Sequence, residues 1–377
     1  MTGGAAEGAT SETGPMRRSV EVEYWVVDER GRLTGPGGLV DASPGVEREF
    51  VEPLLEIKTT PCESTAELRE ELFGRLGRVI ERAEELGKGL VPLATPLRDG
   101  DVADLGSERA RIQDRVVGDR FEYVRHCAGT HVHVEQLPGR EVDQLNALTA
   151  LDPSLALVNS SPYFGHEPLG AGARSLLYRR MAYERLPRQG ELWPYADDTE
   201  EWATRLERRY ESFVTEAVVA GCDRDAVEAC FTPESAAWTP VKLRGEFGTV
   251  EWRSADAALP SQVVRLADDL VGVVERLGDA ELRVGDEPHG VTDEAVVLPP
   301  FETVRERVED AVRDGLDSDA VRSYLERMGI DPGPYEPLSA ELRGEGPLTE
   351  DGARDVRLDY AERLARDVRR RRPVRSD

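Results

Sequence analysis

The stretch Ser19 to Val27, S-V-E-V-E-Y-W-V-V, alternates apolar and acidic residues with a period of two. That is the period of a β-strand with one face in a core, because successive side chains point to opposite faces. Val20, Val22, Tyr24 and Val26 share the apolar face, and Glu21 and Glu23 stand side by side on the other. Three further segments repeat the pattern. Gly129 to Val134 (G-T-H-V-H-V) sets Val132 and Val134 against His131, His133 and the following Glu135. Gly248 to Arg253 (G-T-V-E-W-R) sets Val250 and Trp252 against Thr249, Glu251 and Arg253. Pro53 to Thr59 places Glu56 beside Lys58, opposite Leu55 and Ile57. Any one of these alone has the look of an ordinary half-buried strand on an acidic protein. Paired in one sheet, they would bring Glu21, Glu23, Glu56, His131, Glu251 and Arg253 together, and so many carboxylates repel one another unless cations intervene. Oxygen donors joined by an imidazole suit magnesium or manganese bound together with phosphates.

Between these segments the period changes to that of helices. Ser64 and Glu67 form a capping pair ahead of Leu68, Leu72, Leu76, Val79, Ile80, Ala83 and Leu86, which predicts a helix ending at Gly87. Glu141 to Val158 and Thr199 to Gly221 also have helical spacing. The Gly/Pro-punctuated connection from Ser160 to Pro194 is expected to be a substrate loop or lid. From Pro260 onward the chain reads as mostly helical, with Arg369 to Arg372 as a basic tail complementing the last helix dipole. Polar-faced strands alternating with amphipathic helices predict an α+β fold: an antiparallel or mixed sheet, helices on one face, the other open to a ligand. Residues 1–16 are expected to be a flexible start, 17–300 the catalytic domain and 301–377 a helical segment packed on it.

Composition narrows the function classes. The 377 residues are 39% hydrophobic and 32% charged, which supplies a core and excludes both a minimal binding module and a disordered chain. The net charge of -26 argues against a nucleic-acid partner, since phosphate binding needs a basic field. No run of about 18 apolar residues marks a membrane span, and Met1 to Pro15 lacks the apolar stretch of a signal peptide. A cytoplasmic protein is expected. Of the 48 basic residues only Lys58, Lys88 and Lys242 are lysine; this acidic, arginine-rich balance suits a halophilic source. Cys62, Cys127, Cys222 and Cys230 show no close pairing and are expected to be reduced thiols.

Taken in order, these motifs resemble glutamate-cysteine ligase type 2, the carboxylate-amine ligases. Ser19 to Asp28 is similar to that family's opening G-I-E-x-E-F-x-V-V-D strand, and Leu54 to Thr59 (L-L-E-I-K-T) to its second acidic strand. Gly129 to Val134 resembles its G-x-H-V-H-V segment, Leu157 to Phe164 (L-V-N-S-S-P-Y-F) its A-L-S-A-x-S-P-Y stretch, and Phe247 to Arg253 its H-G-T-V-E-x-R strand. The resemblance implies a curved antiparallel sheet of the glutamine synthetase and guanido kinase kind, with helices on the outer face. It also implies ATP and Mg2+ or Mn2+, an acyl-phosphate of glutamate, and cysteine or another amine as acceptor. By matching position, Glu21, Glu23, Glu56 and Glu251 would ligate magnesium with His131 beside them, and Glu49 would be a further acidic ligand. Arg253 and Arg179 would face the phosphates or the acyl-phosphate, and with His131 they form the implied catalytic set; Lys58, His133 and Arg253 would meet the nucleotide. Glutamine at Glu21 or Glu251 is expected to abolish activity while leaving the fold equally or more stable. No membrane partner is expected; a homo-oligomer is compatible with the sequence.

The chain departs from the family pattern at several positions. Ser19 replaces the opening glycine, Glu135 the glycine after H-V-H-V, and Pro240 and Lys242 an aspartate and an arginine before the last strand. The element after the first long helix is reduced to Ala94 to Leu97. These changes fall around the amino-acid pocket and leave the acidic pole intact. A ligase with a different acceptor, or a silent member that only binds nucleotide or amino acid, are the alternatives they motivate.

Overall fold

The computed structural model describes residues 15–98, 102, 105–285, 288–344 and 346–371. The expected flexible start therefore lies, up to residue 14, outside the described residues, as does the end of the basic tail at Arg372. The described strands are β1 (Arg18–Asp28), β2 (Val46–Arg48), β3 (Leu54–Lys58), β4 (Lys88–Val91), β5 (Gly129–Glu135) and β6 (Tyr163–Phe164), followed by β7 (Glu167–Pro168), β8 (Val241–Arg244), β9 (Thr249–Asp256), β10 (Glu281–Val284), β11 (Gly290–Val291) and β12 (Ala295–Leu298). The fold is α+β. Its main sheet is open and antiparallel, in the order β2-β3-β1-β5-β9-β8, with β4 pairing the far half of β1.

All four sequence segments that alternate apolar and polar residues are strands of this sheet, and they are neighbours. The register sets Glu21 opposite both Lys58 and His131, Glu23 opposite Glu56, and His133 opposite Glu251. Val20, Val22, Tyr24, Leu55, Ile57, Val132, Val134, Val250 and Trp252 form the buried reverse face. They pack in one core with Leu72, Leu76 and Val79 of the Thr65–Glu85 helix and Val263, Leu266 and Leu270 of the Pro260–Arg276 helix. Each such buried aliphatic side chain contributes roughly 1.5–3 kcal/mol. A slip of one residue would exchange this face with the acids, so the apolar pattern fixes the register that builds the polar face.

The first long helix starts where expected: Ser64 is the N-cap and accepts the Glu67 amide at 3.2 Å. The reciprocal bond differs, because the Glu67 carboxylate accepts the amide of Glu63 rather than that of Ser64. Further along β1 the polar face closes. Trp25 and Val27 are buried there with Leu93, Tyr163, Ala353 and Tyr360, the last two from the Glu350–Arg371 helix. Only the first half of β1 thus contributes acids to an open surface. One stretch differs from expectation: Glu281 to Leu298, read as helical, carries the small sheet β10-β12-β11. The Ser160–Pro194 connection holds the β6-β7 hairpin, the short helix Ala173–Leu176 and a π-helical turn at Leu177–Met181, with Ser160, Ser161 and Arg174 buried.

Candidate active site

On the polar face of β1, β3, β5 and β9 lies a cavity of about 480 Å³ whose lining includes Glu21, Glu23, Glu49, Glu56, His131 and Glu251. Its lining also includes Arg174, Arg179, Arg253 and Ser254, and the aromatic residues Phe121, Tyr178, Tyr183 and Trp238. Of the residues expected at the site, only His133 is absent from this lining. It lines a neighbouring groove, yet its Nε2 lies 3.8 Å from Glu21 Oε1 and 4.0 Å from Glu251 Oε1. His131 Nδ1 meets Glu21 Oε2 at 3.1 Å and Glu251 Oε1 at 3.6 Å.

Arg253 reaches the cavity through an irregularity in the ladder. The β5-β9 register shifts between Thr130 and Val132, so that three steps of β9 face two of β5 and a bulge forms around Arg253 and Ser254. Bulges re-aim side chains beside functional sites. Here Arg253 Nη1 stands 3.5 Å from Glu251 Oε1.

The carboxylates fall into two electrostatic groups. Burial alone would raise Glu251, but Arg253, Lys242 and the two imidazoles outweigh it and hold the acid well below its ordinary range. Arg244 adds an ion pair at 2.6 Å, and Lys242 Nζ stands at 3.9 Å. Burial likewise opposes ionisation of Glu21, and the hydrogen bond from His131, with the His133 imidazole nearby, reverses the balance. Burial, then the Arg253 charge, push His131 down to about 4. We therefore read Glu21 as ionised and His131 as a neutral donor to it. In the second group burial dominates. It raises Glu23 to about 7, Glu49 to about 7 with help from Glu23, and Glu56 to about 9 with help from Glu49 and Glu21. Lys58 lies 2.7 Å from Glu56 Oε2 and 3.1 Å from Glu47 Oε2, which leaves the trio short of positive charge.

That shortage fits a bound divalent cation. Oxygen atoms of Glu23, Glu49 and Glu56 lie within 4.8 Å of one another, as do donor atoms of Glu21, Glu56 and His131 and of Glu21, His133 and Glu251. His133 Nε2 is buried without a hydrogen-bond partner, which suits a ligand atom better than a packed imidazole. Hard oxygen donors with one imidazole match Mg2+ or Mn2+.

Several residues of the wall escaped sequence reading. Arg244 shares a face of β8 with Lys242, and the alternation of V-K-L-R was the signal that could have found it. Asp152 lies in the Glu141–Val158 stretch, whose signal is apolar helical spacing alone, and Arg174 in a four-residue helix too short to show a period. Arg179 lines the cavity, but its Nη2 is bonded to Asp152 Oδ2 at 2.7 Å and to Ser254 Oγ at 3.0 Å. Glu135 lies outside the cavity lining, in the groove beside it, and pairs with Arg17.

The open antiparallel sheet with helices on one face is an α+β fold that solved proteins share. The chain superposes on a bifunctional glutathione synthetase from Pasteurella multocida with a TM-score of 0.52 at 15% identity, covering 94% of this chain and 53% of that one. The AMP complex of a glutamate–cysteine ligase from Francisella tularensis gives 0.52 at 11%, covering 94% and 91%. At such identities the likeness is one of fold. The chain belongs to the glutamate-cysteine ligase family 2 (GCS2), whose model matches residues 18–331. A relative named "Putative glutamate--cysteine ligase 2" from Rhodospirillum rubrum is 30% identical over 254 residues, 63% of this chain and 59% of its own length. A second, "Putative glutamate--cysteine ligase 2-1" from Paenarthrobacter aurescens, is 25% identical over 70% of this chain and 64% of its own length. The chain thus spans about three fifths of the curated relatives it matches.

Proposed function

We propose that the chain is an ATP-dependent carboxylate-amine ligase that joins the γ-carboxylate of glutamate to the amino group of cysteine. The observation that carries this reading is the convergence of Glu21, Glu23, Glu49, Glu56, His131 and Glu251 with Arg253 in one cavity of a family 2 chain. In the reaction a glutamate carboxylate oxygen takes the γ-phosphoryl group of ATP and ADP leaves. The amine nitrogen then attacks the activated carbonyl carbon; phosphate departs with the electrons of the C–O bond, and the nitrogen gives up a proton. Such phosphoryl transfer depends on positioning and charge neutralisation more than on a protein nucleophile.

Glu23, Glu49 and Glu56 would hold a divalent cation, and Glu21 with Glu56 and His131, or with His133 and Glu251, would supply the donors of a second such group. When bound, that cation neutralises phosphate charge and polarises phosphoryl oxygens. Arg253 projects from the bulge toward the same space, where a guanidinium can grip two phosphoryl oxygens at once. Glu251 keeps Arg253, Lys242 and Arg244 in place by its own charge. His131, neutral, holds Glu21 by donating to it.

The test is direct. Purified protein with glutamate, Mg-ATP and cysteine in concentrated salt is expected to release phosphate only when both amino acids are present. With hydroxylamine replacing cysteine, glutamate-dependent hydroxamate should form, because that small nucleophile traps the activated carboxylate whatever the acceptor pocket prefers. Absence of any glutamate-dependent ADP release would overturn the ligase reading. Hydroxamate formation without use of cysteine would keep the ligase and change the acceptor. Pro240 lines the cavity where the family pattern has an aspartate, and this change motivates that second outcome.

A further inference from the structure

The best-connected buried acid near the cavity is one that the ligase reading does not use. Asp152 opens the 3-10 segment Asp152–Val158 beneath β9 and is fully buried. Its Oδ1 accepts the Trp252 indole N–H at 3.1 Å and the Ser254 hydroxyl; its Oδ2 accepts Arg179 Nη2 at 2.7 Å. Arg179 Nη2 also donates to Ser254 Oγ at 3.0 Å, which closes the network. Two of the three donors, Arg179 and Ser254, line the cavity, and the third, Trp252, precedes Arg253 in β9. From the other side of the same bulge, Arg174 donates to the Arg253 and Ser254 carbonyls at 3.3–3.4 Å. Its guanidinium occupies the place a Cβ at Gly129 would need, so only glycine there lets it cross β5.

We propose that Asp152 is a positioning residue: it fixes Arg179 in the cavity wall and pins the β9 bulge from which Arg253 projects. This rests on the reading of Arg179 and Arg253 as the guanidiniums that face the transferred phosphoryl group. A buried ion pair is a poor device for stability alone, since well-packed apolar residues usually do as well. What this one determines is geometry: the carboxylate receives two bonds from β9 and one from the Leu177–Met181 turn, the two elements that carry the arginines. A guanidinium displaced by about 1 Å can cost about a hundredfold in rate.

The full chain is assayed for glutamate-dependent hydroxamate formation and titrated with Mg-ATP by calorimetry, as wild type, D152N, R179A and the double variant. Asparagine keeps the size and the acceptor for Trp252 but loses the charge opposite Arg179. D152N is expected to lower turnover by about tenfold to a hundredfold and to weaken Mg-ATP binding by the same factor as R179A. In the R179A background it should cost no more than about a further twofold, the sign of residues acting as one unit. Ser254→Ala removes one arm of the network without stranding a charge and keeps the test open where D152N fails to fold. Its loss should be smaller and equally silent beside R179A. L266A, in the core beneath the sheet and outside this network, is the control for a merely structural role: it should lower the melting temperature and leave turnover within about twofold. Multiplicative losses in the double variants, or a D152N with wild-type turnover beside a crippled R179A, would overturn the inference alone. An unimpaired R179A, or a wild type that does not bind Mg-ATP, would instead overturn the reading on which it rests, and this inference with it.

Discussion

Glu251 and Glu56 share a cavity, a sheet and a face of that sheet, and both are almost wholly buried. Their surroundings are opposite. Glu251 lies among Arg244, Arg253, Lys242 and two imidazoles, and its ionised form is the stable one. Glu56 faces Glu49, Glu23 and Glu21 with Lys58 as its close cation, and its neutral form is favoured up to about pH 9. The difference teaches where the folded chain has supplied its own counter-charge and where it leaves that task to something bound.

The sharpest way to break the comparison is to remove each charge in turn. Both E251Q and E56Q are expected to lose activity by about a thousandfold, as the loss of one preorganised charge does elsewhere. Their stabilities should move apart. E251Q strands the Arg244 and Arg253 guanidiniums beside it and should cost about 3 kcal/mol, read as a lower urea midpoint. E56Q removes a group that is costly to ionise, and should leave stability equal or higher by on the order of 1 kcal/mol at pH 8. This revises the sequence-based expectation for Glu251, whose repulsion from other acids is already offset. The same reasoning makes E21Q destabilising, because an amide oxygen is a weaker acceptor for His131 than the carboxylate. Equal shifts in E251Q and E56Q would show that the two environments do not differ as described.

A smaller effect sharpens the comparison through pH. Glu23, Glu49 and Glu56 have folded pKa values raised above their unfolded ones. Their contribution to cation-free stability is therefore fully present below the unfolded value and is lost as pH rises through about 7 and then about 9. Asp256, raised to about 7 by burial, adds to the trend. Lys242, lowered to about 7 by burial and by Arg253, opposes it as a single group. Ligation must displace protons from the trio, so Mg2+ should bind more tightly at pH 9 than at pH 6. The expected readout is a melting point that Mg2+ raises by several degrees at pH 9 and hardly at all at pH 6, with the response abolished in E23Q. A Mg2+ response independent of pH would place the cation with Glu251 and Glu21 instead.

The contrast between these regions also separates what the sequence could disclose from what it could not. The pairing of β1, β3, β5 and β9 was legible because a period of two is a local property, and once one face is apolar the other is determined. Glu21, Glu23, Glu56, His131 and Glu251 could be named for that reason. What surrounds each of them was not legible. Arg244 reaches Glu251 from the next strand, and the bulge that aims Arg253 is a mismatch between two strands, visible in neither alone. Asp152, at the end of a helical stretch, and Arg174, in a four-residue helix, act on partners that lie between 27 and 102 residues away. The small sheet at Glu281 to Leu298 was missed because its strands run only two to four residues, too short for alternation to declare itself.

The smallest effect is expected at Glu135, the residue whose bulk in place of the family's glycine raised doubt about the pocket. It continues the polar face of β5 one step beyond His133, but where His133 turns toward Glu21 and Glu251, Glu135 turns toward Arg17. That pair holds Glu135 below the ordinary carboxylate range, chiefly by the Arg17 hydrogen bond. Both partners are about a third exposed or more, so solvent and salt screen the interaction. Glu135→Gly should therefore leave turnover within about twofold and stability within about 1 kcal/mol, any loss shrinking in concentrated salt. Turnover that instead rises several-fold would mean that Glu135 reaches the substrates, and that the cavity extends past His133 into the neighbouring groove.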